Sequence, residues 1–245
     1  MSIFFPQGAA PTPSTLIFDF DGTVSQGHGP VLAYAQEIAD AARIPQIFEQ
    51  SAQVLNDPAR STNEPIQIQT NDVVYYPVDG YDLVRRIAAR FDVGDNLCQF
   101  AYMRSRERLA DTGITTPAGL REFLAEYPER KVLATNAPTV GLDAALETLG
   151  LKHAFDAVYT SVGKPAGLHR LLNEDFVGES VVGIGDIWDN DLAPVAAQGG
   201  QTVLIATEFA APPANPTWSV AHLSEIYPVL MELAPERLSN CSQPL

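Results

Sequence analysis

The chain has 245 residues, 46% of them hydrophobic, and 30 acidic side chains against 15 lysines and arginines give a formal net charge of −15. The hydrophobic content supports a packed core and excludes wholesale disorder. The negative charge opposes binding to nucleic acid or to an anionic membrane, and the sequence contains no basic stripe that would overcome it.

Cysteine usage and the N-terminal sequence bear on the compartment. Cys98 and Cys241 lie far apart and show neither C-x-x-C nor metal-binding spacing, so a disulfide framework is not expected and a reducing compartment fits better. The N-terminal segment lacks the charged region and the apolar run of a signal peptide, and no stretch is long enough to span a bilayer. We expect a soluble, cytoplasmic monomer or homodimer.

The first predicted elements are a loose tail and a strand. Pro and Ala punctuate the first fifteen residues, which predict the tail. Residues 16–20 then form a short apolar run that ends at Asp21-Gly22. Because the run lacks polar alternation, it is typical of a strand covered on both faces, as in a parallel sheet.

A long helical region interrupts the pattern directly after this strand. Roughly 80 residues are more than a loop holds, so this region predicts an inserted helical subdomain. We expect residues 28–112 to form this cap, and residues 1–27 and 113–245 to form the core. The polar connector 56–77 has no predicted structure. The predicted helices cover residues 31–43, 45–55, 79–91 and 95–110.

Strands and helices alternate in the rest of the chain, which predicts an α/β fold with a Rossmann-like, doubly wound parallel sheet. Thr116-Pro117 and Thr139 are candidate helix starts, and Gly150 is a candidate helix end. The predicted strands are 131–136, 157–160, 181–186 and 202–207, and the predicted helices are 117–127, 139–149, one beginning near 189–191, and 222–233.

Acidic side chains follow two of the predicted strands. Asp19 and Asp21 are two residues apart in an extended segment, so their carboxylates face one way, and Gly22 allows a tight turn beside them. Asp186 ends another buried strand and is followed by Asp189 and Asp191. Two acidic strand ends in one sheet favour a hard divalent cation, with Mg²⁺ the first choice. The alternative, that these acids are turn formers, suits Asp189 and Asn190 better than Asp19.

Two further strand ends contribute polar groups to the same edge. Thr135-Asn136 closes one strand and offers a hydroxyl, an amide and backbone N–H groups, although either residue alone could simply start the next helix. Lys164 lies shortly after another strand, where a loop lysine is commonly solvated. At the mouth of an acidic site, however, it would pair with carboxylates and phosphate oxygens.

The order FDFDGT, LATN, GKP and GDIWDND resembles the haloacid dehalogenase superfamily, and the helical insert resembles the type-one cap of its phosphoglycolate phosphatase-like branch. The resemblance implies a Mg²⁺-dependent phosphatase that hydrolyses a small phosphate monoester. Two departures are visible: the fourth motif has one extra residue before Asn190-Asp191, and the segment after DGT lacks an acid common in phosphoglycolate phosphatases.

The resemblance also implies roles for individual residues. Asp19 would be the nucleophile that forms an aspartyl phosphate, and Asp21 the general acid and base. Substrate phosphate would contact Thr135, Asn136, Lys164 and Gly22. The metal would be held by Asp19, Asp186, Asp191 and the backbone carbonyl of Asp21.

Other functions use similar motifs. A phosphomutase would use the same acids, and a non-catalytic phosphate-binding protein would keep the pocket. Asp21 argues against carbon–halogen or carbon–phosphorus cleavage, and Lys164 has no evident purpose in a DxD-type glycosyltransferase.

The cap region contains arginines that could recognise a second anionic group, although solvent exposure is expected for most of them. His28 lies near the expected hinge, and Tyr75 and Tyr76 are expected to pack. The arginines considered are Arg60, Arg104, Arg106 and Arg108.

Overall fold

The structure is a computed structural model that describes residues 14–58, 65–70, 73–209 and 214–234. Within these residues the strands are β1 (Thr15–Phe18), β2 (Ile68–Thr70), β3 (Val73–Tyr75), β4 (Arg130–Ala134), β5 (Ala157–Tyr159), β6 (Val181–Gly185), β7 (Gln201–Ile205) and β8 (Trp218–Val220). The α-helices are α1 (Gly29–Ala42), α2 (Gln46–Leu55), α3 (Gly80–Ala89), α4 (Asp95–Glu107), α5 (Leu120–Glu126), α6 (Leu142–Thr148), α7 (Ala166–Asp175), α8 (Ala193–Ala197) and α9 (Tyr227–Leu233).

Six of the eight described strands form a parallel sheet in the order β5-β4-β1-β6-β7-β8. Counted along the chain without the β2–β3 hairpin, this order is 3-2-1-4-5-6, that of a Rossmann-type fold. The predicted fold class is therefore confirmed. The strand order reverses between β1 and β6, and in such sheets ligands bind beyond the carboxyl ends of the strands at this point.

The apolar runs form the central strands because both faces of the sheet are covered. All four residues of β1 and all five of β6 are buried. On one face they pack into a cluster that includes Phe18, Phe123 and Ile184, and on the other into a cluster around Ile17 and Leu172.

The structure differs from the predicted elements at several places. Strand β8 was not predicted because its three residues, Trp218–Val220, include an exposed serine and form no apolar run, and helix α7 was not predicted although it buries Leu168 and Leu172. Helices α5 and α6 begin later than the sequence suggests, since each follows a glycine in the left-handed region, Gly119 and Gly141. Thr139 is not the cap of α6, because its hydroxyl hydrogen-bonds that of Thr160 instead.

The segment between β1 and α5 contains helices α1–α4 and a short antiparallel hairpin, β2–β3. The hairpin lies in the connector for which no structure was predicted. These helices share their own hydrophobic cluster, which includes Ile38, Leu83 and Ile87, as well as Phe209 from the loop after β7. The division of the chain into core and cap at residues 27/28 and 112/113 remains a prediction.

No helix among the described residues combines the length and apolar character needed to cross a membrane.

Candidate active site

Three carboxylates meet at the switch point of the sheet. Asp19 directly follows β1, where its backbone N–H donates to the carbonyl of Ile184 at 2.9 Å, and Asp186 directly follows the neighbouring strand β6. Asp191 reaches the same place from a short π-helix, Trp188–Leu192. One carboxylate oxygen from each of these three acids lies within 4.8 Å of the others. The sheet therefore brings the three predicted acids together.

The π-helix explains the extra residue in GDIWDND. A π-helical turn accommodates one more residue than an α-helical turn, so it absorbs the insertion while the chain continues into α8. Asp191 accepts a hydrogen bond from the backbone N–H of Ile187 at 3.1 Å, and its side chain is 5% exposed. Asp189 is exposed to solvent and lies outside the three-acid cluster.

Two glycines make room for these carboxylates. Gly22 has a φ of +86°, and a Cβ there would lie 2.3 Å from Oδ2 of Asp186. A Cβ on Gly185 would lie 2.7 Å from Oδ2 of Asp191. Any larger residue at these positions would displace an acid, so the turn after β1 and the end of β6 both require glycine.

Lys164 is the cation at the centre of the cluster. Its Nζ donates to Oδ1 of Asp19 at 2.6 Å and to Oδ1 of Asp191 at 2.7 Å, and its side chain is 2% exposed. Its backbone N–H donates to Oδ1 of Asn136 at 2.7 Å, which fixes the lysine loop to the end of β4. Thr135 is buried and its hydroxyl accepts from the N–H of Ala137 at 3.0 Å.

The charges of the cluster are out of balance without a further cation. Burial raises the pKa of Asp19 to about 7, with Lys164 opposing the rise and Asp191 adding to it. Burial, Asp19 and Asp191 raise the pKa of Asp186 well above its ordinary value. Burial lowers the pKa of Lys164, but its two acidic partners outweigh this and raise it overall. The raised pKa values of the two acids follow first from burial and then from the presence of three acids around one lysine.

The donor set fits Mg²⁺. Oδ1 of Asp186 is buried and has no hydrogen-bond partner among the described residues. Such an atom is costly to bury unless a ligand satisfies it. Carboxylate oxygens are the ligands that Mg²⁺ prefers. The residues that would hold it are Asp19, Asp186 and Asp191.

Asp21 is held apart from this cluster by Arg106. Nη1 of Arg106 lies 3.0 Å and 3.2 Å from the two carboxylate oxygens of Asp21 and 3.2 Å from the hydroxyl of Tyr81. The Tyr81 hydroxyl also lies 3.5 Å from Oδ1 of Asp21. The Arg106 side chain is 1% exposed, so the expectation of solvent exposure is wrong for this residue. It holds for Arg104 and Arg108, which are exposed and pair with Glu37.

Arg106 was among the arginines considered from the sequence, but its burial against Asp21 was not predicted although a signal existed. Cys98, Ala101 and Ser105 are buried in α4, so Arg106 occupies a core-facing position in a helical repeat. An arginine at such a position needs a buried partner. The expectation that Tyr75 and Tyr76 pack is wrong, since both are exposed.

The site opens into a cavity of about 660 Å³. One side holds the predicted residues, including Gly22, Thr135 and Asn136 beside the acids and Lys164. The other side is formed by α1, α3 and α4 and by the loop after β7. There His28 pairs with Glu208 at 2.6 Å. Arg60 lies outside the described residues.

Solved structures resemble the chain over most of its length. A candidate phosphatase from Clostridium difficile has a TM-score of 0.62 at 17% identity, with 89% of this chain and 99% of that chain covered. The candidate hydrolase YfnB from Bacillus subtilis, bound to magnesium, gives 0.59 at 18% identity, with 89% and 98% covered. The L-2-haloacid dehalogenase from Xanthobacter autotrophicus gives 0.54 at 16% identity, with 91% and 100% covered. At these identities the likeness establishes the fold.

Among proteins with curated functions, none matches the chain significantly. The sequence does match a family of hydrolases over residues 13–199, which contain all four motifs and every acid of the site. The chain belongs to the haloacid dehalogenase-like hydrolase family.

Proposed function

We propose that this protein is a Mg²⁺-dependent phosphatase that hydrolyses a small phosphate monoester through an aspartyl phosphate on Asp19. The observation that supports this most is that two aspartates at one strand end lie in different surroundings. Asp19 lies in the metal-binding cluster with Lys164, whereas Asp21 is held outside that cluster by Arg106. One carboxylate is thus placed for attack and the other for proton transfer.

In the first half-reaction, a carboxylate oxygen of Asp19 attacks phosphorus. The bond from phosphorus to the ester oxygen breaks, and Asp21, released from Arg106 and protonated, gives its proton to the departing alcohol. In the second, Asp21 takes a proton from water while the water oxygen attacks phosphorus. This step releases inorganic phosphate and restores the Asp19 carboxylate. Both halves need Asp21 within reach of the same phosphoryl group, and both aspartates line the same cavity.

Lys164 and the residues around it stabilise the transferring group. Lys164 offsets the charge of Asp19 and of the phosphoryl oxygens, and Asn136 fixes the lysine loop. Thr135 and the turn at Gly22 line the same part of the cavity and would donate hydrogen bonds to phosphate. A bound Mg²⁺ would supply charge neutralisation and orientation of the phosphoryl group.

The connections between the proposed core and cap support a mobile cap. Gln26 and Thr115 exchange backbone hydrogen bonds of 2.8 Å and 3.2 Å, so the two connecting segments run side by side. Gly27 and Gly113, next to this bridge, both have positive φ. We propose that residues 28–112 move about this pair of segments to admit substrate and to exclude water during transfer.

The test is release of inorganic phosphate from a panel of phosphorylated metabolites, with and without Mg²⁺, by the wild-type enzyme and by Asp19→Asn. We expect Mg²⁺-dependent release that falls by at least about 10³-fold in the variant. Acid quenching during turnover should trap phosphate on the wild-type protein alone. Release that persists in a folded Asp19→Asn variant would contradict the proposed nucleophile. Isomerised sugar phosphate without free phosphate would indicate a mutase instead.

A further inference from the structure

We infer that the alcohol portion of the substrate carries no negative charge and presents an apolar or aromatic surface to the cap side of the cavity. This inference rests on the proposed function, and it names the class of phosphate ester that the site accepts. Its evidence is the pairing of the cavity's basic side chains and the composition of the wall beside Asp21.

Each basic side chain that lines the described cavity already has an acidic partner. Lys164 is held by Asp19 and Asp191 at the phosphoryl end. Arg85 on α3 pairs with Asp95 at 3.0 Å. His28 pairs with Glu208, as described above. A carboxylate or second phosphate on the leaving group would have to compete with these acids for every cation it met.

Acids also line the cavity away from the three-acid cluster. Asp79 at the start of α3, Asp95 at the start of α4 and Glu208 after β7 all contribute to the wall. A negatively charged leaving group would meet these acids on the wall, and like charge there opposes its binding.

The wall nearest the leaving oxygen is aromatic. Tyr81 lies next to Asp21, the residue proposed to protonate that oxygen. Its ring centroid lies 5.5 Å from that of Tyr102 and 5.7 Å from that of Tyr34. All three rings line the cavity, and Phe209 extends the apolar surface. An aromatic or apolar leaving group, protonated by Asp21 as it departs from phosphorus, would pack on these rings.

The arginines at the end of α4 do not supply an alternative anion site in this cavity. Arg106 is already engaged by Asp21, and Arg104 and Arg108 point to solvent, where they pair with Glu37. The cavity of about 660 Å³ has room for a leaving group much larger than a two-carbon acid.

The test compares three phosphate esters whose leaving oxygens are chemically similar: benzyl, ethyl and 4-carboxybenzyl phosphate. We expect kcat/KM to be at least about tenfold lower for 4-carboxybenzyl than for benzyl phosphate, a difference of about 1.4 kcal/mol. We expect KM to be at least about threefold lower for benzyl than for ethyl phosphate.

A pair of matched variants tests the charge argument. Asp95→Asn frees Arg85 and removes one negative charge from the wall, so it should raise kcat/KM for 4-carboxybenzyl phosphate about threefold or more relative to benzyl phosphate. Asp92→Asn makes the same change three residues earlier, at an exposed residue outside the cavity lining, and should leave the ratio unchanged.

The outcomes separate this inference from the proposed function. Equal or faster hydrolysis of 4-carboxybenzyl phosphate, or equal responses of the two variants, would overturn the charge argument while leaving a phosphatase. Equal KM values for benzyl and ethyl phosphate would overturn the aromatic wall. Hydrolysis of none of the three esters, with inorganic phosphate absent across the metabolite panel, would overturn the proposed function itself.

Discussion

Asp189 and Asp191 carry the same side chain two residues apart, but they lie in different surroundings. Asp191 is buried against Lys164 and the backbone of Ile187, whereas Asp189 is exposed. The difference arises because the π-helical turn directs only the second of them toward the sheet edge.

We therefore expect Asp191→Asn to lower kcat/KM by at least about 10²-fold, because it removes a charge that neutralises Lys164 and would bind the metal. Asp189→Asn serves as the matched control and should stay within about threefold of wild type. Steady-state kinetics at saturating Mg²⁺ measure both. A larger loss in Asp189→Asn than in Asp191→Asn would show that the assignment of these acids is reversed.

Arg106 and Asp21 form a second charge pair whose loss should affect stability. Because Arg106 is almost fully buried and Asp21 is only 27% exposed, breaking the pair leaves a poorly solvated charge. We expect Arg106→Gln to lower the free energy of unfolding by about 1–3 kcal/mol, measured by urea denaturation. Arg104→Gln, on the same helix but exposed, should change it by less than about 0.5 kcal/mol.

A double-mutant cycle distinguishes the pair from general packing. If Arg106 acts through Asp21, Arg106→Gln should cost much less in an Asp21→Asn background. Equal losses in both backgrounds would mean that the arginine stabilises the fold through its contacts with Tyr102 and Phe20, whose ring centroids each lie 5.9 Å from the guanidinium carbon.

At the scale of elements, the turn after β1 is constrained by its neighbour β6. Gly22 needs a positive φ and also leaves space for the Asp186 carboxylate. Gly178 has a similar φ of +77°, but a Cβ there would have nothing within 4 Å, and the residue precedes β6 whereas Asp186 follows that strand. Substitutions at the two glycines therefore distinguish the effect of backbone strain from the effect of a clash with Asp186.

We expect Gly22→Ala and Gly178→Ala each to lose about 1 kcal/mol of stability, since alanine is strained in the left-handed region. Only Gly22→Ala should also weaken Mg²⁺ binding, by about tenfold or more, because its Cβ displaces Asp186. Isothermal titration with MgCl₂ measures the affinity. Unchanged affinity in a folded Gly22→Ala protein would exclude Asp186 from the metal site.

At the level of the whole molecule, the site joins four separate parts of the chain, the segments that follow β1, β4, β5 and β6, beside one proposed ion. A ligand that binds only the folded state raises its stability by mass action, by about 2.7 kcal/mol at one hundred times its dissociation constant. We expect MgCl₂ to raise Tm by several degrees and EDTA to reverse the change. Asp186→Asn should abolish the response. An equal rise in that variant would reveal a nonspecific effect of salt on a chain of net charge −15.

Local sequence predicted most of the sheet and most of the residues that the structure brings together at the candidate site. Apolar runs without alternation predicted five of the six parallel strands, because a strand covered on both faces has no polar face to alternate. Asp19, Asp186, Lys164 and the Thr135-Asn136 pair were found because the carboxyl ends of parallel strands meet at one edge. The short, half-polar strand β8 lacked this signal, and the cap hairpin fell in a polar connector.

Local pattern and motifs were therefore enough to predict which residues end the strands. Tertiary structure alone decided which partners those residues meet. The burial of Arg106 against Asp21 depends on the last turn of α4 lying beside the turn after β1, and the two residues are 85 positions apart in the sequence. The choice of Asp191 over Asp189 depends on the phase of one π-helical turn, and the pairing of every cavity cation depends on distances that no local pattern encodes.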